Sequence, residues 1–271
     1  MTQIVCFAKK HLHAAQALSA QQGWPHTVAE WQQMLALGQG LVALHNGHVV
    51  GTTFWWTHDL AVTLGMVIVD QGHRGQGIAA RLVQAALDRV GDLPVVLTAT
   101  DMAQRGYARL GFEKVGIVDT CRGIPASHSL DPNVEAGFSD EVLALDVTAR
   151  RWDRGSVLRS LIAGGATCWS LRNRHGVTAY VFDRSVGQGR VIGPIVAPDL
   201  KMAETLVRHC LATRPGVHMR IDSDPTLGLS NRLPALGLKK TSWGTVMVRG
   251  TIERAPEGAP SVYGLASQAY S

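Results

Sequence analysis

Hydrophobic and polar positions change their spacing most sharply between Leu64 and Leu87. The stretch begins with an unbroken apolar run, Leu64 to Val69, which has the length of one buried strand. From Ile78 the apolar residues recur at helical spacing and share one face, which predicts an amphipathic helix reaching Val90. The residues between the two segments are mostly polar or small. The pattern therefore predicts a buried strand, a tight turn and a helix in immediate succession.

The turn contains two glycines, Gly75 and Gly77, within the segment RGQGIA from Arg74 to Ala79. The first amides of a helix have no partners inside the helix, and glycine lets an anion approach them closely. The turn is therefore a candidate phosphate site. It is not a Walker loop, because no Gly-Lys-Ser/Thr follows it, and it lacks the Gly-x-Gly-x-x-Gly dinucleotide fingerprint.

The residues before the turn predict a strand, two helices and a hairpin. Thr27 and Glu30 have the spacing of a capping box, and Asn46-Gly47 is a strong hairpin signal. Three antiparallel strands are therefore expected before the turn. The predicted elements are a strand at 4–8, helices at 11–22 and 27–38, and strands at 41–44 and 48–56.

A further strand, at 94–99, and a short helix are predicted after the turn. Asp101 is placed to cap that helix, which runs to Leu110, and Gly111 is placed to end it in a left-handed conformation. Tyr107 lies on this helix, four residues before Gly111-Phe112.

Composition narrows the classes of function. The 271 residues suggest one large or two modest domains, and 46% hydrophobic residues suffice for a packed core. A net charge of +5 suits an anionic cofactor, whereas the scattered basic residues argue against a nucleic-acid partner. There is neither an apolar run of membrane length nor a signal-peptide pattern, so we expect no membrane association. The four cysteines are far apart, which predicts no metal site and a cytoplasmic location.

Two motifs together resemble those of a known family. Arg74 to Ala79 fits the pattern Arg/Gln-x-x-Gly-x-Gly/Ala, and Tyr107 before Gly111-Phe112 fits a second signature in the right order. On these motifs residues 1–125 resemble the GNAT superfamily of acyl-CoA-dependent N-acyltransferases. The resemblance implies an α/β (α+β) GNAT fold with a mixed central sheet flanked by helices. It also implies transfer of an acetyl group from acetyl-CoA to an amine by direct attack.

The resemblance also implies roles for individual residues. Tyr107 would be the general acid that protonates the departing CoA thiolate. The strand before the loop would bind the pantetheine arm, and the loop would bind the pyrophosphate. The cofactor-binding residues so implied are Val67, Ile68, Val69, Arg74, Gly75, Gln76, Gly77, Ile78, Ala79 and Ala80.

The acceptor site is expected near the two N-terminal helices, whose connection usually borders the acceptor pocket in GNAT domains. This makes Trp24 and His26 candidates, with a core tryptophan and a solvent-facing histidine as the equal alternative. Trp55 and Trp56 point to opposite faces of one strand, so one belongs to the core and the other is free to line the pocket. The acceptor candidates are Trp24, His26, Trp56 and His58.

The general base is open at this point. Many relatives carry an acidic residue on the strand before the loop, where this chain has Gly65 and Met66. His26, His58 and Glu30 are candidates, and an ordered water is an equal alternative. Cys121 is a poor candidate nucleophile, because no partner histidine follows from the sequence.

The second half of the chain repeats the order of elements in the first. Residues 125–140 are rich in turn formers and predict a linker, after which strands and helices follow in the same succession. The half resembles the degenerate C-terminal acetyltransferase-like domain of bacterial tandem GNAT proteins. VAPDLKMA stands where the first half has RGQGIA, with Asp199 in place of the glycines, and Leu233 stands where the first half has Tyr107. We therefore expect no chemistry in this half.

These observations predict two tandem GNAT copies: a catalytic domain at 1–128, a degenerate domain at 139–252, and a tail at 253–271 that is either loose or a strap over the core. Acetyl-CoA is the expected co-substrate, and a small-molecule primary amine is the expected acceptor. A protein or peptide acceptor is one alternative, and a non-catalytic acyl-CoA sensor is another. A homodimer is left open.

Overall fold

The structure, a computed structural model, describes residues 2–24, 26–125, 128–187, 189–253 and 255–269. Thirteen strands form one sheet. They are β1 (Thr2–Cys6), β2 (Gln39–His45), β3 (His48–Thr57), β4 (Val62–Val69), β5 (Val95–Ala99), β6 (Glu113–Gly123), β7 (Val134–Ala136), β8 (Thr167–Asn173), β9 (Gly176–Val186), β10 (Gly189–Ala197), β11 (Met219–Ser223), β12 (Lys239–Arg249) and β13 (Ser261–Gly264). The helices are α1 (Leu12–Gln21), α2 (Val28–Leu37), α3 (Ile78–Val90), α4 (Gln104–Ala108), α5 (Asp140–Arg150), α6 (Gly155–Ala163), α7 (Leu200–Ala212) and α8 (Leu229–Arg232).

The two halves of the chain follow the same plan. The strand order is β1-β2-β3-β4-β5-β12-β6-β11-β13-β10-β9-β8-β7, which reads alike from either edge once β13 is set aside. The first half has a helix pair before its hairpin and the amphipathic helix α3 before β5; the second has α5 and α6 before its hairpin and α7 before β11. The mixed sheet flanked by helices, in two copies, confirms the predicted fold class.

At the centre of the sheet the two halves exchange a strand. β12, from the second half, lies between β5 and β6, and β6, from the first half, lies between β12 and β11. The pairing of β6 with β12 is antiparallel and runs from Glu113 opposite Val248 to Arg122 opposite Lys239. Each half therefore completes the sheet of the other.

One hydrophobic core is shared by both halves. On one face of the sheet, Trp31 and Phe54 belong to the same buried cluster as Leu158, Tyr180 and Phe182. Across this face the Gln33 side chain donates hydrogen bonds of 3.0 and 2.9 Å to the carbonyl and hydroxyl oxygens of Ser160. On the opposite face α3 and α7 cover separate clusters.

Several local predictions are confirmed. The Thr27 hydroxyl accepts from the Glu30 amide at 3.2 Å, and the Glu30 carboxylate accepts from the Thr27 amide at 2.7 Å, which completes the capping box of α2. Asn46-Gly47 joins β2 to β3 as expected. Gly111, with φ of +85°, follows the turn that ends α4.

Other local predictions are wrong. Asp101 does not cap a helix of the predicted length: a 3₁₀ turn at Asp101–Ala103 precedes the short α4, and the Asp101 carboxylate accepts from the Gln104 side chain at 3.1 Å. The segment predicted as a linker contains β7. For the C-terminal tail the sequence leaves two alternatives open, and Ser261–Gly264 is not loose, because it forms β13 within the sheet. The domain boundaries at 128, 139 and 252 remain predictions.

We expect the fragment of residues 1–130 to be insoluble or unfolded when expressed alone. It lacks β12, so β5 loses one neighbour and β6 loses both, and it also lacks the helices that complete the shared core. Co-expression with residues 131–271 should restore a soluble complex. Recovery in the soluble fraction and far-UV circular dichroism measure this, and a folded monomeric 1–130 fragment would contradict it.

Candidate functional site

The glycine-containing loop leads from the end of β4 to the first turn of α3. Asp70 shapes its entry: its carboxylate accepts from the Gly72 amide at 3.0 Å and pairs with His73 Nδ1 at 2.8 Å. Gly75 and Gly77 then adopt φ values of +76° and +73°, in the left-handed region that favours glycine. Gly77 is the N-cap residue of α3.

The loop is open to solvent above the helix N-terminus. No heavy atom lies within 4 Å of where a Cβ would be on Gly75 or Gly77, apart from their chain neighbours. The amides that open a 13-residue helix face this space without helical partners, which suits a phosphate group. Arg74 stands beside it, and its guanidinium donates to the Gln22 side chain at 2.5 Å and to the Val69 carbonyl at 3.4 Å.

A bulge and a splay in β4 leave backbone groups free next to the loop. Met66 has φ of +52°, and the pairing with β3 shifts register there; the Thr52 hydroxyl donates to the Met66 carbonyl at 2.8 Å. On its other edge β4 pairs with β5 only through Val62 and Thr63. Beyond these two residues the strands diverge, so the slot between them offers main-chain partners to an extended ligand.

Tyr107 lies on the same face of the sheet as α3. Its ring meets Phe112 edge-on, with centroids 5.7 Å apart, and packs against the same core cluster as Val67 and Val69. Burial raises the pKa of the Tyr107 phenol above its usual value, so the group keeps its proton at neutral pH.

A cavity of 590 Å³ opens on the opposite face of the sheet. Its walls come from both halves of the chain. From the sheet they include Thr63, Val96, Leu97, Thr98, Glu113, Val115, Val246 and Val248; from the segments around it they include Arg150, Trp152, Gly250, Thr251, Ile252, Leu265, Gln268 and Ala269.

The C-terminal segment 261–269, here called the strap, connects the slots of the two halves. In the second half β10 and β11 pair in parallel only through Arg190 and Val191, as β4 and β5 do in the first, and β13 fills the gap that follows. The strap then reaches the first half, where a Cβ on Gly65 would lie 2.5 Å from the Ala269 carbonyl oxygen. The absence of a side chain on Gly65 therefore gives room to the strap.

The second half lacks an open loop. Asp199 is the N-cap of α7, and its carboxylate accepts from the Met202 amide at 2.8 Å. The helix N-terminus thus already holds a negative charge, and the slot beside it is filled by β13.

Two family models, both described as an acetyltransferase (GNAT) domain, match the chain at residues 36–114 and 142–264. The chain carries two GNAT acetyltransferase domains in tandem. It is similar over 281 residues to the uncharacterized N-acetyltransferase YitH of Bacillus subtilis, with 26% identity and 98% of each chain covered. These matches identify it as an acyl-CoA-dependent acetyltransferase.

Solved structures share this tandem GNAT fold. A candidate acetyltransferase from Pyrococcus horikoshii matches with a TM-score of 0.84 and 15% identity, over 100% of this chain and 96% of that one. A GCN5-related N-acetyltransferase from Sphaerobacter thermophilus matches with a TM-score of 0.65 and 11% identity, over 95% and 98%. Identities this low show the fold alone. No helix in the described part of the chain is both long and apolar enough to cross a membrane.

The four acceptor candidates of this GNAT protein are not brought together. The half-buried Trp24 packs edge-on against His26, with ring centroids 6.0 Å apart. His26 lines a second, small cavity together with Glu30, Arg184 and Arg220, and burial lowers its pKa. The expectation that either Trp55 or Trp56 lines the pocket is wrong. Both are buried on opposite faces of β3, and the Trp56 indole donates to the Met34 carbonyl at 3.3 Å.

His58 lies directly behind the wall of the large cavity. Its Nε2 is 3.3 Å from the hydroxyl of Thr63, which lines the cavity. Burial, reinforced by the nearby charge of Arg154, lowers the pKa of His58 to about 4. The imidazole is therefore neutral at pH 7 and a weak base.

The nucleophile alternative finds no support at Cys121, which lies in the second core cluster. Burial raises its pKa to about 11, which keeps the thiol protonated. Sequence reasoning missed Arg150, Trp152 and the strap as parts of the large cavity. None of them belongs to a motif, and the strap consists mainly of small residues.

Replacing Gly77 with Asp should abolish acetyl-CoA binding. The new carboxylate would occupy the helix N-terminus and oppose the pyrophosphate. Isothermal titration should give one site per wild-type chain and none for the variant. Gly216→Asp is the matched control, since Gly216 also has a positive φ and open space around it. A stoichiometry of two, or unchanged affinity in Gly77→Asp, would contradict the assignment.

His58 should make the protein less stable as the pH falls. Its folded pKa of about 4 lies below the unfolded value of 6.5, so the unfolded state binds more protons between these values. The stability that neutral His58 provides is complete above about pH 6.5 and is lost toward pH 4, at a cost on the order of 3 kcal/mol. Urea unfolding of wild type and His58→Gln at several pH values measures the free energy of unfolding of each. If this free energy changes with pH in the same way in both proteins, the prediction is refuted.

Proposed function

We propose that the N-terminal GNAT unit alone binds acetyl-CoA and transfers its acetyl group to the primary amine of a small molecule by direct attack. One observation carries the proposal: an open glycine loop at the start of α3 lies beside a strand that separates from its neighbour. The second unit has a capped helix and a filled slot at the equivalent place.

The residues present fit acetyl-CoA. The loop from Arg74 to Ala80 would hold its pyrophosphate through backbone amides, and the free edge of β4 at Val67–Val69 would hydrogen-bond the pantetheine arm. Bound there, the co-substrate supplies an activated acyl group as a thioester. A β4 amide near the bulge would then polarise the thioester carbonyl.

The acceptor would enter from the opposite face. The large cavity reaches β4 at Thr63, so an amine inside it approaches the slot from the side away from α3. The strap closes part of this cavity, which favours a small acceptor over a protein surface that needs an open groove.

The reaction needs a proton acceptor and a proton donor. The attacking amine forms a bond to the acyl carbon and loses a proton, and we assign its removal to water because His58 is a weak base. When the carbon–sulfur bond breaks, the thiolate takes the electron pair and a proton from the Tyr107 phenol, which solvent then restores. Tyr107 is protonated at neutral pH, as this role requires.

Replacing Tyr107 with Phe should lower kcat by roughly 10²-fold while leaving acetyl-CoA affinity nearly unchanged. The substitution keeps the ring that packs against Phe112 and removes only the hydroxyl. Tyr263→Phe in the second unit is the matched control, because that tyrosine is buried away from the slot of the first unit. The measurement is steady-state kinetics under conditions where chemistry limits the rate. A near-normal kcat for Tyr107→Phe would contradict the role as general acid and would mean that the ring only packs in the core.

A further inference from the structure

The large cavity is lined by Arg150, a half-buried cation that forms no ion pair within the described part of the chain. The Arg150 guanidinium is stacked on Trp152, with Cζ 4.8 Å from the ring centroid, and both residues line the cavity. Among the described residues, Arg150 Nε and Trp152 Nε1 are both buried and have no hydrogen-bond partner. Buried polar groups ordinarily have a hydrogen-bond partner. These two donors on one wall therefore suggest that a bound ligand supplies a hydrogen-bond acceptor.

Neighbouring charges do not neutralise Arg150. Asp146 is buried nearby, but both of its oxygens accept from Arg154, at 2.9 and 2.7 Å, and one also accepts from the Tyr180 hydroxyl. Two arginines thus share one carboxylate, and burial together with the charge of Arg154 lowers the pKa of Arg150 to about 9. At neutral pH the wall still carries one positive charge in excess.

The other charged side chain that lines the cavity is Glu113, which is exposed. Within the described part of the chain no ion pair joins it to Arg150. The remaining walls are largely aliphatic, with Val246 and Ile252 among them. The cavity thus offers one half-buried cation beside largely aliphatic walls, and this cation can pair with one negative charge.

We propose that Arg150 and Trp152 bind a carboxylate on the acceptor, so that the substrate is an amine that also carries a carboxylate. The inference rests on the proposed function, because it places the acceptor in this cavity. A guanidinium pairs well with a planar carboxylate, and the indole N–H adds a donor beside it. One excess charge favours a carboxylate over a doubly charged phosphate.

The test compares matched pairs of acceptors on the wild-type protein. Phenylalanine with phenethylamine, lysine with cadaverine, and tryptophan with tryptamine differ only in the carboxylate; glucosamine 6-phosphate with glucosamine tests a phosphate. We expect the best acceptor to carry a carboxylate and to exceed its decarboxylated partner by about 10²-fold in kcat/KM, the scale of charge-assisted hydrogen bonds. A preference for the decarboxylated members, or for the phosphate pair, would overturn the inference.

Arg150→Met tests the residue itself. It removes the charge but keeps a long apolar side chain on Trp152. The preference for carboxylated acceptors should be lost through an increase in their KM, while acetyl-CoA affinity should stay within about 3-fold, since the co-substrate makes no charge-assisted contact there. Arg159→Met, which removes an exposed ion pair with Asp140, is the matched control. An unchanged preference in Arg150→Met would refute the assignment.

A second readout separates this inference from the proposed function. Thermal shift by the same compounds, in the presence of CoA, reports binding without turnover. If no amine is acetylated, the proposed function fails. Stabilisation by the carboxylated members, lost in Arg150→Met and kept in Arg159→Met, would still support the carboxylate site. Absence of that stabilisation in wild type would overturn it, and retention of it in a folded Arg150→Met would do the same.

Discussion

The exchange of β6 and β12 at the centre of the sheet is the constraint on which the rest of the structure depends. Each half of the chain supplies a strand that the other needs, so the backbone hydrogen bonds of β5 and β11 are completed only when both halves are present. The same exchange brings α1 and α2 beside α5 and α6, and the shared core on that face follows from it. Folding of the two GNAT units is therefore one event in structural terms, although the chain is built from two repeats.

The two units follow the same plan, but their slots differ: one is open and the other is filled. The first keeps an open loop with two left-handed glycines and a splayed strand edge. The second is capped by Asp199 and filled by β13. The strap that fills it then contributes to the wall of the large cavity and packs against Gly65. The second unit thus supplies part of the candidate acceptor cavity, while the first unit carries the open loop.

The sequence predicts those features that depend on short-range chemistry. The capping box at Thr27, the Asn46-Gly47 hairpin and the left-handed loop at Gly75 and Gly77 follow from residue types at fixed spacing, and all three are present. The strand exchange could not be predicted in this way. An alternating hydrophobic pattern indicates that a strand is half buried, but it does not identify the strand with which it pairs. Arg150 was missed for a similar reason: a single arginine outside any motif cannot be assigned a role until the fold places it over Trp152 on the cavity wall. Trp56 was misplaced because both faces of β3 are covered by core.

Joining the repeats in one chain has a consequence for how the two sites can diverge. In an assembly of identical subunits every substitution appears in both copies, so a change that fills one slot would fill the other. Here each repeat has its own sequence, so the two repeats can change independently. The sheet still requires strands from both repeats. The Asp199 cap in the second repeat therefore leaves the loop at Gly77 unchanged, while the second repeat still supplies strands of the sheet and walls of the cavity.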